Sequence, residues 1–196
     1  MAEEPLCAPI LTVGHSSRSL EEFLRLVRTH GVRTVVDVRR FPHSRRHPQF
    51  DRTHLVVALA RDGIGYHHCP ALGGRRQPRP DSLHRALENP GFRGFADHMQ
   101  TPEFAAALEW LIDLARCAGP LALLCAEAVP WRCHRSLIAD ALVVRGYPVS
   151  HILGAKRLQP HRLPLFARVR DGHVIYDAVG EIGEPGMDAG GPGECG

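Results

Sequence analysis

The chain has 196 residues, 44% hydrophobic and 23% charged, which suits one globular domain with a core large enough to need no disulfide or metal staple. Those fractions exclude collagen-like, coiled-coil and wholly disordered chains. No apolar run reaches the length of a membrane span and the start is acidic (Glu3, Glu4), so neither a transmembrane helix nor a secretory signal is expected. The net charge of +3 hides an uneven distribution. Residues 33–93 carry twelve Arg against five acids, whereas residues 177–196 carry five acids and no base.

In chain order, strands and helices alternate. Ile10 to Val13 is a β-prone run stopped by Gly14. Ser19-Leu-Glu-Glu22 has the pattern of a capping box and opens a helix that ends at Gly31. Thr34 to Val38 is a β-branched second strand, followed by a basic loop and a helix from about Asp51 to Arg61. Ile64 to His67 is a third strand. Residues 69–91, rich in Pro and Gly, read as irregular loop with one helical turn near Ser82 to Leu87. Pro102 to Cys117 is a helix with Pro in its first turn, and Leu121 to Leu124 an apolar fourth strand. Trp131 to Arg145 reads as one further helix and Val149 to Leu153 as a fifth strand. Asp171-Gly172, between two β-prone runs, predicts a C-terminal hairpin. The expectation is therefore an α/β domain over residues 1–178, with a mainly parallel sheet of about five strands flanked by helices. An acidic, Gly/Pro-rich disordered tail is expected over 179–196.

The polar residues gather where the strands should end: Gly14-His15-Ser16, Asp37-Val-Arg39 with Ser44-Arg45, Gly73-Gly74-Arg75, Cys125-Ala-Glu127, and Cys133-His134-Arg135 at the next helix start. Ligands of open parallel sheets sit outside the carboxyl ends of the strands. These clusters are thus expected to share one rim. Their order and spacing, together with Leu72-Gly73-Gly74 and Thr101-Pro-Glu-Phe104, resemble the DUF488 family, a domain of unknown function, from Thr12 to Ile152. The resemblance implies an α/β protein of the prokaryotic cytoplasm and leaves the activity to be read from the residues.

Arginine forks suit phosphate and carboxylate. Arg39, Arg45, Arg75 and Arg135, with Ser16, Ser44 and the close backbone of Gly73 and Gly74, are candidates for an anion-binding pocket. His15, Asp37, Cys125, Glu127 and His134 are the catalytic candidates for hydrolysis or group transfer on a phosphate-bearing small molecule or nucleic acid. Cys125 followed after six residues by Arg132 departs from the tyrosine-phosphatase loop, which places five between, and Glu127 would repel a phosphate there. A non-catalytic nucleic-acid-binding or regulatory module is the alternative for the same basic face. A metal site of Cys125, Cys133 and His134 is a further alternative, although two neighbours on one helix would point apart. The six Cys show no CxxC pair, which predicts reduced thiols and a cytoplasmic location. No cofactor and no oligomeric state follows from the sequence.

Overall fold

The two faces of the sheet collect different residues, and this alternation sets the architecture of the computed structural model, which describes residues 10–177. Strands β1 (Ile10–Gly14), β2 (Thr34–Asp37), β3 (Gly65–His68), β4 (Leu121–Cys125), β5 (Val149–Gly154) and β6 (Arg157–Pro160) form one sheet in the order β3-β2-β4-β1-β5-β6. The first five are parallel and β6 runs antiparallel to β5. In β4, Ala122 and Leu124 join one core with Leu11, Val13, Val35 and Ile152. Leu121, Leu123 and Cys125 join the other, with Ile10, Val36 and Val38. Every residue of β1, β2 and β4 is buried, as central parallel strands covered on both faces must be.

Helices α1 (Leu20–Thr29) and α2 (Arg52–Arg61) cover the first face through Phe23, Leu26, Val27, Leu55 and Leu59. Helices α3 (Pro90–His98), α4 (Pro102–Ala118) and α5 (Arg135–Val144) cover the second through Phe95, Phe104, Leu108, Leu111, Ile138 and Leu142. The result is a three-layer α/β/α arrangement. A two-stranded antiparallel hairpin, β7 (Arg168–Arg170) and β8 (His173–Ile175), follows, turning at Asp171-Gly172 with both residues at positive φ. No helix among the described residues is long and apolar enough to cross a membrane.

Local chemistry explains most element ends. Ser19 and Glu22 close the capping box of α1 in both directions, at 2.8 and 3.1 Å. Thr101 caps α4, whose second end is Gly119 at φ +76°. Three differences from the sequence reading stand out. The sheet gains the sixth strand β6. Near Ser82–Leu87 a single hydrogen-bonded turn forms (Leu87 amide to the His84 carbonyl, 3.1 Å), and a full helix that the sequence reading lacked follows as α3, where the Asn89 side chain accepts from the Gly91 and Phe92 amides. The helix expected over Trp131–Arg145 is broken: a 3-10 turn at Pro130–Arg132 is followed by extended Cys133 (φ −140°, ψ 140°), and α5 starts only at Arg135. The acidic tail expected over 179–196 lies outside the described residues.

A buried hydrogen-bonded chain joins the hairpin to the sheet. The Thr12 hydroxyl donates to His151 Nδ1 (2.8 Å), His151 Nε2–H to His161 Nδ1 (2.9 Å), and His161 Nε2–H to Asp140 (2.7 Å). The Tyr176 hydroxyl donates to the other Asp140 oxygen at 2.6 Å. Each polar group in this chain meets a partner, so it costs little to bury.

Candidate functional site

The register of the central strands places Gly14 beside Cys125, and Asp37 between Leu124 and His68. Four strands, β1 to β4, therefore end within one residue of the same level, and the residues after them share a rim. The chain passes closely there. A Cβ on Gly14 would lie 1.8 Å from the Glu127 carbonyl oxygen, so only glycine lets β1 run under the loop after β4.

On one side of the rim stands Asp37, wholly buried. Its two oxygens accept from Arg39 Nε (2.9 Å) and a terminal guanidinium nitrogen (2.6 Å), from the Arg39 amide (3.0 Å), and from the Tyr66 hydroxyl (2.8 Å). Arg39 also donates to the Phe50 carbonyl at 2.9 Å. The planar, bidentate pair is the geometry Arg adopts best. Its remaining nitrogen lies 3.4 Å from His15 Nε2. His15 donates from Nδ1 to the Ser16 carbonyl at 2.9 Å and stacks on Phe50, leaving Nε2 as an acceptor. Burial lowers the His15 pKa to about 4, so the ring is neutral near pH 7.

On the other side, Cys125 ends β4 and meets Cys133 and His134. His134 Nε2–H donates to the Val38 carbonyl at 3.0 Å, which turns the Nδ1 lone pair toward Cys125 Sγ (3.9 Å) and Cys133 Sγ (3.8 Å). The Cys133 hydrogen bond, then His134 and Arg135, hold the Cys125 thiol well below its ordinary range, while burial pushes Cys133 well above it. Gly74 packs on the imidazole, where a Cβ would stand 2.8 Å from Nδ1. Beneath, Arg135 is 1% exposed and donates to the Glu127 (2.6 Å) and Ala128 (2.9 Å) carbonyls, and its Nε has no partner. The loop after Cys125 thus turns carbonyls toward a buried cation. A phosphate cradle would turn amides inward instead.

Between the two sides opens a cleft of about 390 Å³. Of the sequence candidates, His15, Arg39, Ser44, Gly74, Arg75, Cys125, Glu127, Cys133 and His134 line it. Others do not. Asp37 lies behind Arg39, and Arg45 is exposed outside the lining. Arg135 serves the loop carbonyls, Ser16 bonds the Ala126 carbonyl through its amide, and Gly73 packs against Pro70 and Arg40. The lining adds residues not among the sequence candidates: Arg40, Phe41, His43, Arg132, and Asn89, Gly91 and Phe92 at the start of α3. The Asn89-Pro90 cap signature was the available signal for the last three. A second recess of about 660 Å³, lined by Trp131, Leu137, Phe166 and Tyr176 among others, is mainly apolar and lies beside the Asp140–His161 chain.

The adjacent residues Cys133 and His134 do not point apart. Because Cys133 is extended and His134 helical (φ −56°, ψ −17°), both side chains reach Cys125, and the three donor atoms lie within 4.8 Å of one another. Among the described residues Cys69, Cys117, Cys125 and Cys133 are all free thiols.

A family model described as a domain of unknown function, DUF488, matches residues 19–142. No curated protein and no solved structure matches the chain.

Proposed function

The chain belongs to the DUF488 family, and from that premise we propose that its strand-end cleft binds a phosphate-bearing anion and carries out hydrolysis or group transfer on it. The observation that carries this reading is a charge imbalance. Arg40, Arg75 and Arg132 line the cleft, all exposed and without a carboxylate partner among the described residues, and Glu127 is the sole carboxylate in the lining. Arg39 is already balanced by Asp37. Three guanidiniums without a carboxylate partner around a concave surface attract an anion and hold it by paired N–H donors.

The roles divide accordingly. Arg40, Arg75 and Arg132, with the Ser44 hydroxyl, take the anion. Asp37 fixes Arg39, and Arg39 in turn holds His15 at Nε2, the acceptor nitrogen of the ring. Glu127, exposed at the mouth, is the second proton-handling group. Cys125 and His134 form the floor.

Thermal unfolding with pyrophosphate or a nucleoside triphosphate, against chloride at equal ionic strength, tests the binding. Stabilisation should weaken at least tenfold in apparent affinity, about 1.4 kcal/mol, in Arg75→Ala and in Arg132→Ala. Equal stabilisation of the wild-type chain and the double variant would refute the pocket. Phosphate release from a nucleotide panel tests turnover. A steep salt dependence of DNA or RNA binding without turnover would replace the enzyme reading with a nucleic-acid-binding one.

A further inference from the structure

We propose that Cys125, Cys133 and His134 form a binding site for a soft divalent cation, zinc by preference, with its fourth coordination position open to the cleft. The inference is independent of whether the cleft binds an anion.

Four observations carry it. The first is distance. Tetrahedral zinc with bonds of about 2.3 Å to sulfur and about 2.0–2.1 Å to nitrogen places those donors about 3.6 Å apart. His134 Nδ1 lies 3.9 and 3.8 Å from the two sulfurs, within a few tenths of an ångström of that separation, and the sulfurs lie within 4.8 Å of one another. The second is orientation. His134 spends its Nε2–H on the Val38 carbonyl, the outer partner that fixes the tautomer and ring plane of metal-binding histidines, and Nδ1 is left as the ligand atom. The third is space. Gly74 leaves the volume beside Nδ1 free of side chain, and any Cβ there would intrude to 2.8 Å. The fourth is the backbone break at Cys133, which lets adjacent residues converge on a third from another element.

Three protein donors and one open position is the pattern of catalytic zinc, whereas structural zinc is closed by four. All three residues line the cleft, so the open position faces it. Both sulfurs bind as thiolates: each thiol proton that the dication displaces goes to solvent, and the zinc dithiolate is neutral. Thiolate donors select zinc over calcium or magnesium.

The test is titration of the full chain, reduced and freed of metal, with zinc or cobalt(II) alone. One equivalent should bind, cobalt should give thiolate-to-metal charge-transfer absorption, and zinc should shield Cys125 and Cys133 from alkylation while Cys117 stays reactive. Cys125→Ser and Cys133→Ser should each weaken binding at least a hundredfold, and Cys117→Ser should leave it unchanged. Absence of one-equivalent binding, cobalt absorption that survives in both serine variants, or alkylation of Cys125 and Cys133 that zinc leaves unslowed would each overturn the site. The alkylation map uses the wild-type chain, so it decides the matter even where a serine variant fails to fold.

Discussion

Asp37 and Arg39 sit two residues apart and bind one another with almost no solvent, so their value lies in mutual compensation. A buried guanidinium without its carboxylate costs several kilocalories, whereas the intact pair is near neutral. Asp37→Ala should therefore destabilise the fold by about 3–5 kcal/mol in urea unfolding. It should also free Tyr66 and release His15 from its bond to Arg39. A loss under about 1 kcal/mol would mean that Arg39 finds another anion or turns to solvent. The contrast with Arg40, Arg75 and Arg132 is instructive. Sequence alone presents all of them as equal charges in basic stretches, yet only three remain available to a ligand, because carboxylate proximity is a property of the fold.

At the level of elements, α1 was legible from the capping box of Ser19 and Glu22, and α4 from Pro102 in its first turn with apolar residues at helical spacing. Helix α3 was not read, although Asn89 caps it. Ser19→Ala should cost about 1 kcal/mol of stability and leave the cleft unchanged. Anion-dependent stabilisation that changed along with it would show that α1 is coupled to the rim. The five parallel strands were legible as apolar runs closed by glycine or polar residues. What could not be read was β6, whose Arg157-Leu-Gln-Pro160 is exposed throughout and gains its identity only by pairing with β5. Nor could the break before α5 be read. Trp131 to Arg145 has helical composition, but Cys133 is held extended, and that one residue brings the three donors together. The polar clusters at strand ends were recognisable from spacing. Their division into lining and support was not, because it depends on the turn of single residues such as Arg135.

The whole molecule responds to pH through groups that burial keeps neutral. His151 is pushed down to about 3, by burial first and then by the neighbouring His161 and Arg135 charges; Thr12 and, beyond His161, Asp140 complete its surroundings. Unfolded, the same ring takes a proton near pH 6.5. Between these values the unfolded chain binds more protons, so the contribution is full above about pH 6.5 and is lost as pH falls toward 3. Urea midpoints should drop between pH 7.5 and pH 4.5, and His151→Gln should flatten that slope; an unchanged slope would place the effect elsewhere. The strand order carries a consequence in time. β1 touches β4 and β5 but never β2, and Leu11 pairs with Ala122. At a synthesis rate of about 5–20 residues per second, a nascent β1 waits roughly 5–20 s for its neighbour. Until β4 inserts between β1 and β2 there is no rim at all. The cleft is therefore among the last features of this protein to come into being, and conditions that slow sheet closure should delay ligand competence before they reduce helix content.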